Sequence, residues 1–279
     1  MHLPRFWAKE TRSASDPSGQ AYALAVWGWS DQDAAGARQK ALQRLDELAR
    51  KVELGDELNH YNNYGEGERP LREPVIQGVP GAEALISRNA YGALVLNTAR
   101  VFFADIDLPE PSSGGLLSGL FGKKPADPAE AALARLRQWQ ARQPDWALRV
   151  YRTKAGLRLL ATHDGFDPTS SATQGLLASL GSDPLYTTLC RVQACFRARL
   201  TPKPWRVGLK APSWRFPFET PASEARFQAW LQTYNAKAPA YAVCRLLAEL
   251  GQRRLTTEAA AVLAVHDRYA CPPGNLPLA

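Results

Sequence analysis

Residues 83–108, EALISRNAYGALVLNTARVFFADIDL, hold short apolar runs separated by turn residues, and no other segment constrains the fold so tightly. Such runs, broken by Asn, Gly and Thr, read as successive strands with turns near Asn89–Gly92 and Asn97–Thr98. Links this short favour antiparallel neighbours, because parallel strands need a crossover of about a dozen residues or more. The segment is expected to form the central sheet of an α+β fold, mainly antiparallel, with helices flanking it.

The flanks carry helical and strand signals. Residues 20–29 have the aromatic and β-branched content of a strand, and Ser30 followed by Asp31 and Asp33 reads as a helix start. A helix is predicted over 31–53, with Ala34, Ala41, Leu45, Leu48 and Val52 on its apolar stripe. Residues 55–82 read as a long surface loop. Helices are predicted at about 128–143 and 169–193, and a hairpin at 146–152 and 157–163 with its turn at Thr153–Gly156. Strands are predicted at 195–200 and 205–209. The domain reading is a flexible arm at 1–19, an α+β core at 20–219 with a flexible insertion at 110–127, and a C-terminal helical cap at 220–279. The cap is expected to hold helices near 221–236, 239–250 and 256–269.

The net charge of +7 comes from 34 basic and 27 acidic residues among 279. Its distribution matters more than its size. Between Asp183 and Glu219 there is no acid, while Arg191, Arg197, Arg199, Lys203, Arg206, Lys210 and Arg215 are interleaved with Phe196, Trp205, Trp214, Phe216 and Phe218. Cations mixed with flat rings suit phosphates and unstacked bases. No window approaches the ~20 apolar residues of a membrane span, so no membrane partner is expected. The four cysteines lack finger or disulfide-scaffold spacing and read as reduced thiols in a cytoplasmic protein.

Three segments could carry chemistry. In Val101-Phe-Phe-Ala-Asp105-Ile-Asp107, strand alternation puts Asp105 and Asp107 on one side, about 7 Å apart. Two like charges so close suit a hard divalent ion such as Mg²⁺ or Mn²⁺, or else simply a strand leaving the core for solvent. The hairpin offers Arg152, Lys154 and Arg158 to an anionic ligand, with His163 as a catalytic acid/base or a loop-entry residue. On that strand Arg158 and His163 fall on opposite faces. In the basic stretch, Arg197 and Arg199 share a strand face, and Pro202 and Pro204 stiffen the loop carrying Lys203, Trp205 and Arg206. His266 and Asp267 in the last helix read as a surface pair or as orienters of a site residue.

The order of these pieces, a hydrophobic strand ending in Asp-x-Asp, a Gly-Leu hairpin, then an acid followed by Arg-x-Arg-Leu and a lysine, resembles the catalytic core of the archaeo-eukaryotic primase superfamily over roughly residues 85–210. The resemblance implies an RRM-like antiparallel sheet and a metal-dependent nucleotide-binding or nucleotidyl-transferring protein. It implies Asp105, Asp107 and Asp183 as metal ligands, 154–158 as a nucleotide-phosphate hairpin, and Arg197, Arg199 and Lys203 as phosphate contacts. Arg158 stands where the family's second motif has histidine, and Thr201-Pro-Lys203-Pro-Trp205 replaces its usual loop. The stretch Arg88-Asn89-x-Tyr91-Gly92 also resembles bacterial proteins whose likeness implies no activity. The alternative from another class is a non-catalytic module that binds nucleic acid or another polyanion through 191–215. The partially apolar insertion at 112–124 is the candidate contact for a protein partner.

Overall fold

The computed structural model describes residues 1–56, 70–109, 127–252 and 254–279. It is a mixed α+β protein with mainly antiparallel sheets, and it divides into two compact units, His2–Arg72 and Glu73–Ala279 with Met1. Residues 110–126 of the expected insertion, its 112–124 contact included, and residues 57–69 of the expected 55–82 loop lie outside the described residues; the later part of that loop is not all loop, since Val75–Gly78 is a strand.

The first unit is a hairpin of β1 (Phe6–Ser15) and β2 (Ala21–Ser30) backed by α1 (Ala34–Glu53). The expected arm at 1–19 is therefore mostly strand. Its polar residues mislead because β1 has a largely solvated surface, with Ala14 its one buried residue. What holds it is the register, Phe6 opposite Ser30 through Ser15 opposite Ala21, and the packing of Ala14 and Leu24 on Leu45, Ala49 and Val52. The tight turn is closed by Asp16 Oδ1, which accepts from the backbone of Ser18 and Gln20 at 2.9 and 3.0 Å. Asp33 caps α1 by accepting from Gly36 N–H at 2.6 Å, three residues beyond the expected cap Ser30. The buried stripe runs through Ala37, Ala41, Leu45, Ala49 and Val52. A side chain at Gly28 would collide with the backbone of Ala37 and Ala41, so β2 and α1 meet at backbone distance.

The second unit contains two four-stranded sheets. One is ordered β3 (Val75–Gly78), β4 (Ala84–Arg88), β5 (Leu94–Thr98) and β9 (Phe196–Arg199). The other is ordered β10 (Cys244–Leu250), β7 (Leu148–Thr153), β8 (Gly156–Ala161) and β6 (Phe103–Asp107). All pairings within both are antiparallel. Apolar side chains from both sheets join those of α2 (Pro128–Ala141), α3 (Ser171–Ser179), α4 (Pro184–Gln193) and α6 (Thr257–Ala270) in one core. Its fully buried members include Phe102, Phe103, Leu148, Leu159 and Phe196. α5 (Pro221–Lys237) packs through Tyr234 against Val207, Ala238 and Ala279.

Three expectations are corrected here. Residues 83–108 serve both sheets, because the chain turns after Thr98, whose hydroxyl donates to Val101 O, and β6 then pairs with β8. Asn97 and Thr98 end β5, and the Asn97 side-chain amide donates to Ser87 Oγ at 2.8 Å inside the sheet. The expected helix at 239–250 is β10, so the C-terminal segment is no purely helical cap. Its leucines and alanine favour a helix locally, but the open edge of β7 supplies a ladder from Cys244–Thr153 to Leu250–Leu148. The expected strand at 205–209 is a 3-10 turn, Pro204–Val207, since prolines at 202 and 204 cannot donate to a ladder.

Candidate functional site

The end of β6 gathers three carboxylates. Register places Asp105 opposite Arg158 and Asp107 opposite Gly156, which confirms that the two acids share a face. β8 comes so close to β6 here that a Cβ on Gly156 would strike the carbonyl of Ile106. On the other side of β6, Asp105 O accepts from Asp183 N–H at 2.9 Å and from the Ser182 hydroxyl at 3.1 Å. Those bonds fix the start of α4 beside the strand, where Asp183 Oδ1 caps the helix by accepting from Tyr186 N–H at 2.6 Å. The Asp107 carboxyl is pushed above its ordinary range by burial and by the neighbouring Asp183 and Asp105 charges, and is pulled back by Lys203 and Arg206.

Three cations lie near enough to these carboxylates to act on their charge. β9 carries Arg199, and the loop after it carries Lys203 and Arg206. Burial lowers the proton affinity of all three. Lys203 is lowered further by Arg199 and Arg206, against the pull of Asp107 and Asp105. None of the three forms an ion pair within 4.0 Å among the described residues, and Arg199 Nη1 is buried with no hydrogen-bond partner. A buried guanidinium nitrogen without a hydrogen-bond partner carries a desolvation penalty that an anionic ligand would relieve.

The loop is held firmly. The Tyr234 hydroxyl bonds Thr201 Oγ1 at 2.8 Å and donates to Pro202 O at 2.6 Å, while Thr201 Oγ1 accepts from Leu94 N–H at 2.9 Å. Above it lies Tyr91, whose ring meets Trp205 edge-on at 5.3 Å. Tyr91 owes its place to the Arg88-Asn89-x-Tyr91-Gly92 turn. Arg88 Nη1 donates to Gly92 O at 2.6 Å, and Asn89 Oδ1 accepts from Ala93 N–H at 3.0 Å. Gly92 has φ +90°, and Trp230 covers it where a side chain would sit. Sequence reasoning noted that stretch without giving it a role. The turn itself could be read from Gly92, which takes the positive φ that favours glycine, though not where the turn would place Tyr91.

Other expected site residues lie elsewhere. Arg158 is fully buried and is the counter-ion of Asp105 (Nε to Oδ1, 3.0 Å), not an open phosphate donor. Its Nη1 donates to Arg199 O at 2.8 Å and lies 3.5 Å from His266 Nε2. The His266 ring is fully buried, with Nδ1 2.9 Å from Asp267 Oδ1, which also accepts from Tyr151 OH at 2.7 Å. His266 and Asp267 thus back the Arg158 pair and are no surface pair. Arg197 is neutralised by Glu73 at 2.6 and 2.8 Å and also donates to Gln193 Oε1 at 3.0 Å, so its guanidinium is already engaged. Register puts Arg152 on the face of Ile106 and Leu157, away from the carboxylates, where it donates to Gly156 O at 3.1 Å. Lys154 is exposed at the hairpin turn. His163 packs 4.8 Å from Trp146 and 5.0 Å from Phe166, with its Nδ1 buried and unbonded, and none of its contacts is a carboxylate of the site.

Burial lowers the proton affinity of His266, opposed by Asp267 and reinforced by Arg158. An imidazole in the unfolded chain binds protons below about pH 6.5 while the folded one resists, so stability falls as pH drops through that value. The slope from His266 is at most about 1.4 kcal/mol per pH unit, approached only below about pH 6.5. Urea melts between pH 7.5 and 5 should show stability falling toward the acid end, and His266→Gln should flatten that fall; equal slopes would refute the assignment.

Among the described residues no group of three or more His, Cys, Asp or Glu side chains is arranged to hold a metal ion by itself. No helix among them is long and apolar enough to cross a membrane. A scan of protein-family models, a search of curated proteins and a search of solved structures each find no match to this chain.

Proposed function

We propose that the end of β6, with the cations of the loop after β9, binds a nucleotide together with a divalent cation, Mg²⁺ or Mn²⁺. The observation that carries the reading is the meeting of Asp105, Asp107 and Asp183 with Arg199, Lys203 and Arg206, cations that have no ion-pair partner within 4.0 Å among the described residues. Phosphate oxygens would take the cationic side. Asp105 is held by Arg158, so Asp107 and Asp183 are the carboxylates able to share an ion, and crowding between them supports that role. Mg²⁺ commonly binds through one or two carboxylates plus substrate phosphates and waters, so a donor set completed by the ligand fits these residues.

The resemblance to the primase superfamily supports the same acids and two of the same cations. It supports nucleotide binding more than nucleotidyl transfer, because Asp105 is tied to a buried arginine here. Calorimetric titration with ATP tests the proposal. Affinity is expected to rise at least about tenfold with Mg²⁺, and Asp107→Asn should remove that gain while Lys203→Gln weakens binding in either condition by about tenfold. Unchanged affinity with and without the ion, coupled to a steep salt dependence, would favour a plain polyanion-binding surface. Failure to bind ATP at all would end the nucleotide reading.

A further inference from the structure

Resting on that reading, we infer that Trp205 is the stacking platform for the nucleobase of the bound nucleotide, with purines preferred to pyrimidines. Trp205 leaves 53% of its surface open to solvent, although its loop is otherwise anchored by buried Pro204 and Val207. Tyr91 supports it from one edge at 5.3 Å and 64°, and Lys203 Nζ sits 5.4 Å from the ring centroid. A large flat ring fixed in a proline-flanked turn loses little further freedom on stacking. It is therefore a better base platform than a ring on a mobile loop.

The ring's place in the chain adds the second half of the inference. Trp205 lies between Lys203 and Arg206 in the loop that follows Arg199 at the end of β9. One short loop thus presents both phosphate-binding cations and an exposed aromatic, the two chemistries that a nucleotide combines in one molecule. Stacking is tolerant of base identity because every base has a π-face, and the larger purine face covers more of the indole. Inorganic tripolyphosphate would use the cations and leave the ring untouched.

The test compares ATP, CTP and inorganic tripolyphosphate, each with Mg²⁺, on the full chain by calorimetry. Trp205→Ala is expected to weaken ATP about tenfold and to leave tripolyphosphate within twofold of the unaltered protein, while Trp205→Phe keeps most of the ATP affinity. ATP should also bind several-fold more tightly than CTP. If Trp205→Ala changes ATP and tripolyphosphate alike, or changes neither, the stacking inference fails while the phosphate site stands. If the unaltered chain binds none of the three, the nucleotide reading itself has failed.

Discussion

Arg158→Met is expected to lower stability by about 2–3 kcal/mol, less than the roughly 3–5 kcal/mol for breaking a fully buried ion pair, because the Asp105 side chain keeps 34% of its surface exposed. The side chain is fully buried, and three groups depend on it: Asp105 Oδ1, the Arg199 carbonyl and the His266 ring. Methionine fills similar volume, so the loss reflects the stranded carboxylate and carbonyl and not a cavity. Urea denaturation followed by far-UV circular dichroism gives the number. Adding Asp105→Asn to the variant should recover part of it, because the charge left unpaired has gone. A loss below about 1 kcal/mol would mean that solvent reaches Asp105 freely and that the pair is a surface contact.

Arg199→Met is expected to act in the opposite direction on stability. Its Nη1 is buried without a partner, and burial and the charges of Arg158 and Arg206 outweigh the pull of Asp105 on it. Replacing it relieves that repulsion and should raise ligand-free stability by about 1 kcal/mol, while ATP affinity falls by about tenfold or more with the loss of charge-assisted bonds. Measured together, a melting curve without ligand and a titration with Mg²⁺-ATP decide the matter. A variant that is less stable and still binds would show that Arg199 is a structural residue. The contrast between these two arginines, joined by one hydrogen bond, separates a group that the fold needs from one that a ligand needs.

Much of this arrangement was legible in the sequence where a local period or spacing speaks for itself. Alternation gave the shared face of Asp105 and Asp107, the hairpin at β7 and β8, and the cation-rich loop after β9. What alternation cannot give is the partner across a sheet. Arg158 and Arg197 read as open cations, and each meets an acid, Asp105 and Glu73, that lies far away in sequence. β10 reads as helix because its leucines form helices in isolation, and the waiting edge of β7 decides otherwise. β1 reads as a loose arm because a hairpin with one buried residue in its first strand has almost no apolar period. Tyr91 was invisible as a site residue since only the fold brings its turn against Trp205.

The pairing of β5 with β9, Thr98 opposite Phe196 and Val95 opposite Arg199, also bears on how the chain is made. At the usual synthesis rate of about 5–20 residues per second, β5 waits about 5–20 s on the ribosome before the strand that covers its outer rim exists. During that interval Leu94, Val95 and Leu96 belong to an unsealed ribbon, the kind of template that recruits foreign strands. The hairpin and helix of the first unit are made of near-neighbour contacts and can consolidate early. Newly made chains would then need chaperone cover mainly in the window between these two events.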